Sequence, residues 1–218
     1  FAHDRLTAEE SARVGAKVFE EISVPILLPS AAARAVSAVR EAVPDPPLAG
    51  SQYLLFTSAN MRLPGQEWEL MLFNRFSFLV LSAPAKRTAA AELAAGLRDQ
   101  LFSHMKDRIP FAMEDAAALG RIFPRTLVAR VINSMFNGRM CSFYFACLKE
   151  SGFSGTRFMD LAVKDLFHTP LAFVPPGVNL CLTAFANRFN IVLSYLQGAL
   201  SDDVAREIVR RFKASLVD

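Results

Sequence analysis

Between Val178 and Leu216 the apolar residues change their spacing once, from every second position to every third or fourth. "VNLCLTAF" and "FNIVLSYL" alternate with the period of a strand, and the short "ANR" between them reads as a hairpin connection. Asn187 and Arg188 are placed at the turn, since Asn tolerates the left-handed backbone of tight turns. Val178, Leu180 and Leu182 share one face of the first strand, and Phe189, Ile191, Leu193 and Tyr195 share one face of the second. Ser201 then caps a helix, with Asp202 and Asp203 at its positive end. Val204, Ile208, Val209, Phe212 and Leu216 form its apolar stripe, while Arg210, Arg211 and Lys213 fall near its negative end. A hairpin that feeds straight into an amphipathic helix requires a sheet with a helix layer against it. The large apolar set of the second strand should meet that layer. Asn190, Val192, Ser194 and Leu196 should then occupy the opposite face.

The rest of the chain supplies the partners. Thr7 followed by Glu10 is a capping box and opens a helix running to about Glu21. Pro25 and Pro29 interrupt the next segment, and Ser30 caps an alanine-rich helix, "AAARAVSAVREAV". "PDPPLAG" at 44–50 is the clearest loop. It divides an N-terminal helical segment and linker over 1–49 from a main domain over 50–218. Two strand-like runs follow, "SQYLLFTSANMR" and "WELMLFNRFSFLVLSA", the second apolar enough to be buried on both faces. Thr88 opens a helix marked by Leu93, Leu97 and Leu101, Pro110 ends it, and helical sequence continues to Phe136. Beyond Gly138, "RMCSFYFACL" reads as a strand, and "MDLAVKDLFHTPLAFVPPG" as short irregular strand and loop. The class is α/β or α+β, with a mixed, largely antiparallel sheet flanked by helices.

Composition excludes several functions. Twenty-four Lys and Arg against 21 Asp and Glu give a net charge of +3, and the basic residues are dispersed, which argues against a nucleic-acid face. Cys141, Cys147 and Cys181 are odd in number and lack metal-ligand spacing, so reduced thiols and a cytoplasmic location are expected. No apolar run reaches the roughly 18 residues of a membrane span, and the first ten residues form no signal peptide. The chain starts at Phe1 rather than Met and reads as part of a longer polypeptide. Nineteen phenylalanines against one Trp and three Tyr serve either as core or as the lining of a channel for a greasy substrate. Composition does not separate the two.

The order of these pieces carries a resemblance. "PPGVNLCLTAFANRFNIVLSYLQGALSDDVAREIVRRFKASL" resembles the close of the chloramphenicol-acetyltransferase-like superfamily, which includes condensation domains and the wax ester synthase/diacylglycerol acyltransferases. The matching residues are Ser194, Tyr195, Gly198 and Leu200, before Ser201. "YLLFTSANMR" and "LFNRFSFLVL" resemble the Arg-terminated strand of these families and the Asn-bearing strand after it, matching Arg62 and Asn74. "CSFYFACL" occupies the place of a strand near the interface between the two halves. The resemblance spans about residues 50–218. It implies a half-domain of that fold ending in an amphipathic helix, with acyl-CoA or an acyl-carrier protein as co-substrate, no other cofactor and no metal.

One departure matters. The family's His-x-x-x-Asp-Gly, whose His is the general base, is absent: His3, His104 and His168 are followed by "DRLT", "MKDR" and "TPLA". No catalytic residue is therefore assigned. The resemblance then implies a C-terminal domain of a CoA- or carrier-protein-dependent acyltransferase, wax ester synthase-like in its Phe-rich strands, with the base on an N-terminal half. The expected partners are that half, a hydrophobic acyl substrate, no nucleic acid, and a membrane surface at most peripherally. Ser142, Tyr144, Thr183, Ser194 and His168 are the candidate substrate contacts, set against the plainer reading of hydroxyls satisfied within a sheet and a loop histidine. Arg62 and Asn74 are assigned structural roles. His104 reads as a surface residue. Two alternatives stand beside this: a catalytically inert module of the same fold that binds a hydrophobic ligand or a partner, and an unrelated α/β domain with an accidental likeness.

Overall fold

The computed structural model describes residues 1–22, 27–43, 52–61, 76–136, 141–148, 157–172, 174 and 176–218. In chain order the elements are β1 (Ala2–Arg5), α1 (Ala8–Ile22), α2 (Leu27–Ala42), β2 (Gln52–Asn60), β3 (Phe76–Pro84), α3 (Ala90–Lys106), α4 (Ile109–Gly120), α5 (Arg125–Phe136), β4 (Phe143–Leu148), β5 (Arg157–Phe158), β6 (Leu161–Ala162), β7 (Val178–Phe185), β8 (Arg188–Tyr195) and α6 (Asp202–Val217). Six strands form one sheet in the order β1-β8-β7-β4-β2-β3, and β5 and β6 pair separately. The sheet is mixed and mostly antiparallel: β4 runs parallel to both β2 and β7, and the other three pairings are antiparallel. That is the class expected from the patterning.

Helices α1, α2, α3 and α6 pack on one another and on one face of this sheet. The core between the layers comes from alternate strand residues. Tyr53, Leu55, Leu81, Phe143, Phe145, Leu180, Leu182, Ile191 and Leu193 meet Ala31, Ala35, Leu97, Ile208 and Phe212. The expected register of β8 holds: Ile191 and Leu193 are buried in the core, with Phe189 and Tyr195 packed at its margin. α6 starts as expected, the Ser201 hydroxyl accepting from the Val204 N–H at 3.3 Å. The Thr7–Glu10 box is closed in both directions: Thr7 N–H donates to the Glu10 carboxylate at 2.6 Å, and Glu10 N–H to the Thr7 hydroxyl at 3.1 Å.

Several local expectations are corrected. Ser30 is no cap. α2 already includes Leu27 to Ser30, and Ser30 lies buried inside it. Its hydroxyl accepts from Arg34 Nη1 at 2.6 Å, and Arg34 Nε donates to the Ser215 carbonyl at 2.6 Å, tying α2 to the last turn of α6. The hairpin turn falls one residue earlier than expected, on Ala186 and Asn187 with φ of 48° and 59°, because Phe185 pairs with Arg188. β3 is an edge strand with one buried face, not two. Its outward backbone at Ser82 is capped by the Gln100 amide, which accepts from the N–H and donates to the C=O, both at 2.8 Å. Thr88 does not cap α3, whose N-cap is Ala89 with no side-chain bond. Pro110 opens α4 rather than ending α3, and the helical sequence beyond it splits into α4 and α5 around Pro124. Arg210 and Arg211 pair with Glu207 rather than with the helix end. The 44–50 loop and Gly138 lie outside the described residues.

β1 adds an edge strand that four residues of sequence do not reveal. Ala2 to Arg5 pair with Leu193 to Asn190, so the start of the chain closes the sheet beside β8.

Candidate functional site

The sheet has a second face, and strand pairing determines what lies on it. Tyr144 of β4 is in register with Asn179 of β7, and Asn179 with Ser194 of β8. The side chains of a register row point the same way, so these three polar residues cross adjacent strands side by side. Phe56 extends the row onto β2, its ring 5.6 Å from that of Tyr144. Two residues along lie Cys181 and Val192, then Thr183 and Asn190. The described helices that touch these strands all belong to the layer behind the sheet. The polar row faces away from them.

A coil crosses part of this face and is held by a charged network. Asn190 is fully buried, and its side-chain N–H₂ donates to the Asp165 carboxylate at 2.9 Å and to the Leu166 carbonyl at 3.3 Å. Its oxygen lies 3.2 Å from His3 Nε2, whose ring stacks on Phe167 at 4.4 Å. Arg5 reaches Asp165 at 3.2 Å. The Asn179 amide donates to the Leu171 carbonyl at 3.3 Å. Asn190 and Asn179 are therefore the two posts that fix residues 165–171 over β8 and β7.

What these posts leave unmatched is the more telling feature. Asn179 Oδ1 and Ser194 Oγ are both shielded from solvent and both lack a hydrogen-bond partner among the described residues, in residues each only 6% exposed. Arg5, Arg40, Tyr53, Ser77 and His104 also hold such an atom, but only Asn179 and Ser194 stand side by side on the polar row, which makes them the candidates for bonding a group from outside the described residues.

The candidate residues distribute unevenly. Tyr144 and Ser194 stand on the row, and burial pushes the Tyr144 hydroxyl above its ordinary pKa. Thr183 is buried on the same face with Oγ1 3.8 Å from Cys181 Sγ. Ser142 sits just before β4, and its hydroxyl accepts from the Leu54 N–H at 3.0 Å while its own N–H donates to the Leu54 carbonyl at 2.7 Å. Its hydroxyl is thus committed to fastening β4 to β2. His168 is exposed on the coil. Arg62 and Asn74 lie outside the described residues. Sequence reading passed over Asn179 and put Asn190 on this face without naming it a site residue, because a strand asparagine looks like an outward-facing residue until a coil is seen to cover it.

No nucleophile or general base is assigned among the described residues. Burial pushes the thiols of Cys141 and Cys147 up to about 12 and that of Cys181 to about 11, so all three stay protonated near neutrality. His3 is engaged with Asn190, and His104 lies half-buried on α3 with its Nδ1 shielded. Among the described residues no group of three His, Cys, Asp or Glu is placed to hold a metal, and no helix is long and apolar enough to cross a membrane.

No protein-family model and no curated protein matches the sequence. Solved structures do match. The chain aligns over its whole length with a trichothecene 15-O-acetyltransferase of Fusarium sporotrichioides, at a TM-score of 0.70 and 11% identity, covering 46% of that chain. It has the condensation-domain fold. The epimerization domain from the third module of tyrocidine synthetase B matches at a TM-score of 0.66 and 10% identity, with 99% of this chain and 46% of that one covered. A condensation domain that mediates chain release from the enacyloxin polyketide synthase matches at 0.61 and 11%, with 98% and 39% covered. At such identities the likeness is one of fold, and the accidental-likeness reading falls. The chain spans less than half the length of these three relatives. Its polar row lies on the sheet face opposite the helix layer.

Proposed function

We propose that this chain is the C-terminal domain of a CoA- or carrier-protein-dependent acyltransferase, and that its polar sheet face forms one wall of the tunnel for the acyl donor and acceptor. The general base then resides in a His-x-x-x-Asp-Gly motif on an N-terminal half of the same polypeptide. The observation that carries this reading is the pairing of a half-length condensation fold with two buried, unmatched polar atoms, Asn179 Oδ1 and Ser194 Oγ, on the face away from the helices. In this role Tyr144 and Ser194 orient the substrate, and the phenylalanines of β2 and β3 line the acyl path. Transfer to a lipophilic alcohol, as in the wax ester synthases, suits such a lining.

The test compares the 218-residue chain with a longer polypeptide that includes its upstream sequence. With acyl-CoA and a long-chain alcohol, the chain alone should give no ester. The longer protein should turn over and lose activity when the His of its motif becomes Ala. Turnover by the chain alone, abolished by His168→Ala, overturns the division of labour. A second reading has support in the absence of any base among the described residues: an inert module of the same fold that holds a hydrophobic ligand. A degraded upstream motif together with ligand binding selects it.

A further inference from the structure

Behind α3 the surface changes character. α4 and α5 are consecutive helices joined by a turn, Arg121 to Pro124, that carries Ile122 at 77% and Phe123 at 53% exposure. Leu119 precedes the turn at 58%, and Leu127 and Val131 follow on one side of α5 at 47% and 50%. Soluble surfaces rarely display large apolar side chains in such a continuous run. α5 makes no more than marginal contact with any other described element, so its apolar residues are not the edge of the core. They cluster about the corner where α4 meets α5.

The charges beside them complete the picture. Arg121, Arg125 and Arg130 are exposed and form no ion pair with any described residue. On α6, by contrast, Arg206, Arg210 and Arg211 each hold a carboxylate at 2.6–2.7 Å. Glu114 and Asp115, the carboxylates within these two helices, lie in the middle of α4, about two turns from the corner. An exposed edge of Ile, Phe and Leu flanked by unmatched guanidinium groups fits an interface that is apolar beneath and anionic at its surface.

We infer that the α4–α5 tip docks on the surface of an anionic lipid bilayer, with Leu119, Ile122, Phe123 and Leu127 among the acyl chains and Arg121, Arg125 and Arg130 at the headgroups. Interfacial helices bind in this way, apolar side down and cations level with the lipid phosphates. Such a corner needs no complementary pocket in a fluid surface, as it would on a folded partner. A second copy of the chain is disfavoured by charge. A two-fold contact centred on the tip sets the three arginines of each copy against those of the other, far from the carboxylates of α4. The inference does not depend on the proposed acyltransferase role.

Flotation of the chain with vesicles tests it, comparing pure phosphatidylcholine with a mixture containing about one-third phosphatidylglycerol. Binding to the mixed vesicles, weaker on pure phosphatidylcholine and weakened by high salt, is the expected result. Arg121→Gln and Arg125→Gln should each reduce partition about fivefold, the equivalent of roughly 1 kcal/mol per cation. Ile122→Ser combined with Phe123→Ser should abolish binding while leaving the far-UV circular dichroism and urea midpoint unchanged. Three results overturn the inference. In the first, neither vesicle type binds. In the second, the chain forms a dimer that the Ile122→Ser, Phe123→Ser pair dissolves, without lipid binding. In the third, a longer polypeptide with its upstream half ignores vesicles that the chain alone binds, which shows the tip to be covered within the molecule.

Discussion

Phe212 is the residue through which α6 is docked, and its removal can be worked through in advance. It is fully buried, in the middle of the terminal helix, and meets Phe145 of β4 edge-to-face with ring centroids 6.1 Å apart at 88°. Phe212→Ala leaves a ring-sized hole between two layers that are held by neighbours on every side and cannot collapse into it. Such truncations cost about 3–5 kcal/mol. Of this, roughly 0.5–1.5 kcal/mol belongs to the aromatic pair itself rather than to buried area. Against a total stability of about 5–15 kcal/mol, the loss is a large fraction. With a urea dependence of about 2–3 kcal/mol/M for a chain of this size, the midpoint should fall by roughly 1.5 M. Urea titration followed by far-UV circular dichroism measures it. Phe145→Ala and the double variant close a cycle whose coupling should match the aromatic term. A midpoint within about 0.3 M of the parent would mean that α6 is not seated on the sheet, and the layer assignment would fail with it.

Ala186 occupies a left-handed position with φ of 48°, where a Cβ is strained, so Ala186→Gly should stabilise the protein by about 0.5–1 kcal/mol and raise the thermal midpoint. A lowered midpoint refutes the turn. Ser194→Ala removes a buried hydroxyl that has no partner, so stability should hold or rise. A loss above about 1 kcal/mol would reveal a bond that the hydroxyl makes in solution. Hydrogen bonds from Arg210 and then Arg211 hold the Glu207 carboxyl down at about 2, below its ordinary 4.5. A depressed carboxylate stabilises above its unfolded pKa and loses that contribution as pH falls through the folded value. Glu207→Gln should therefore flatten the decline in thermal midpoint between pH 4.5 and pH 2, modestly and less so in salt because the group is exposed. Identical acid limbs for the two proteins would count against the pair.

Local chemistry was legible in the residues themselves. The capping box at Thr7 and Glu10, the Ser201 cap, the inward set Ile191 and Leu193, and the buried stripe ending at Phe212 and Leu216 depend on contacts within a few positions or on strict period. They were read without any partner in view. The resemblance to condensation-type proteins rested on the order of such pieces, and the structure carries that fold. What depends on distant chain was not legible. β1 is too short to show a period and is a strand only because β8 offers an unpaired edge. Ser30 looks like a cap until Arg34 reaches it inside the core. Ala186 rather than Arg188 takes the turn because pairing of Phe185 with Arg188 sets the register. The site divides along the same line. Tyr144 and Ser194 were placed on their faces by alternation alone, but only tertiary pairing set Asn179 between them. Only the crossing of residues 165–171 turned Asn190 from a polar strand residue into a buried post. Periodicity determines which way a side chain points along its own strand; what stands opposite it is decided by segments far away in sequence, whose approach no local pattern encodes.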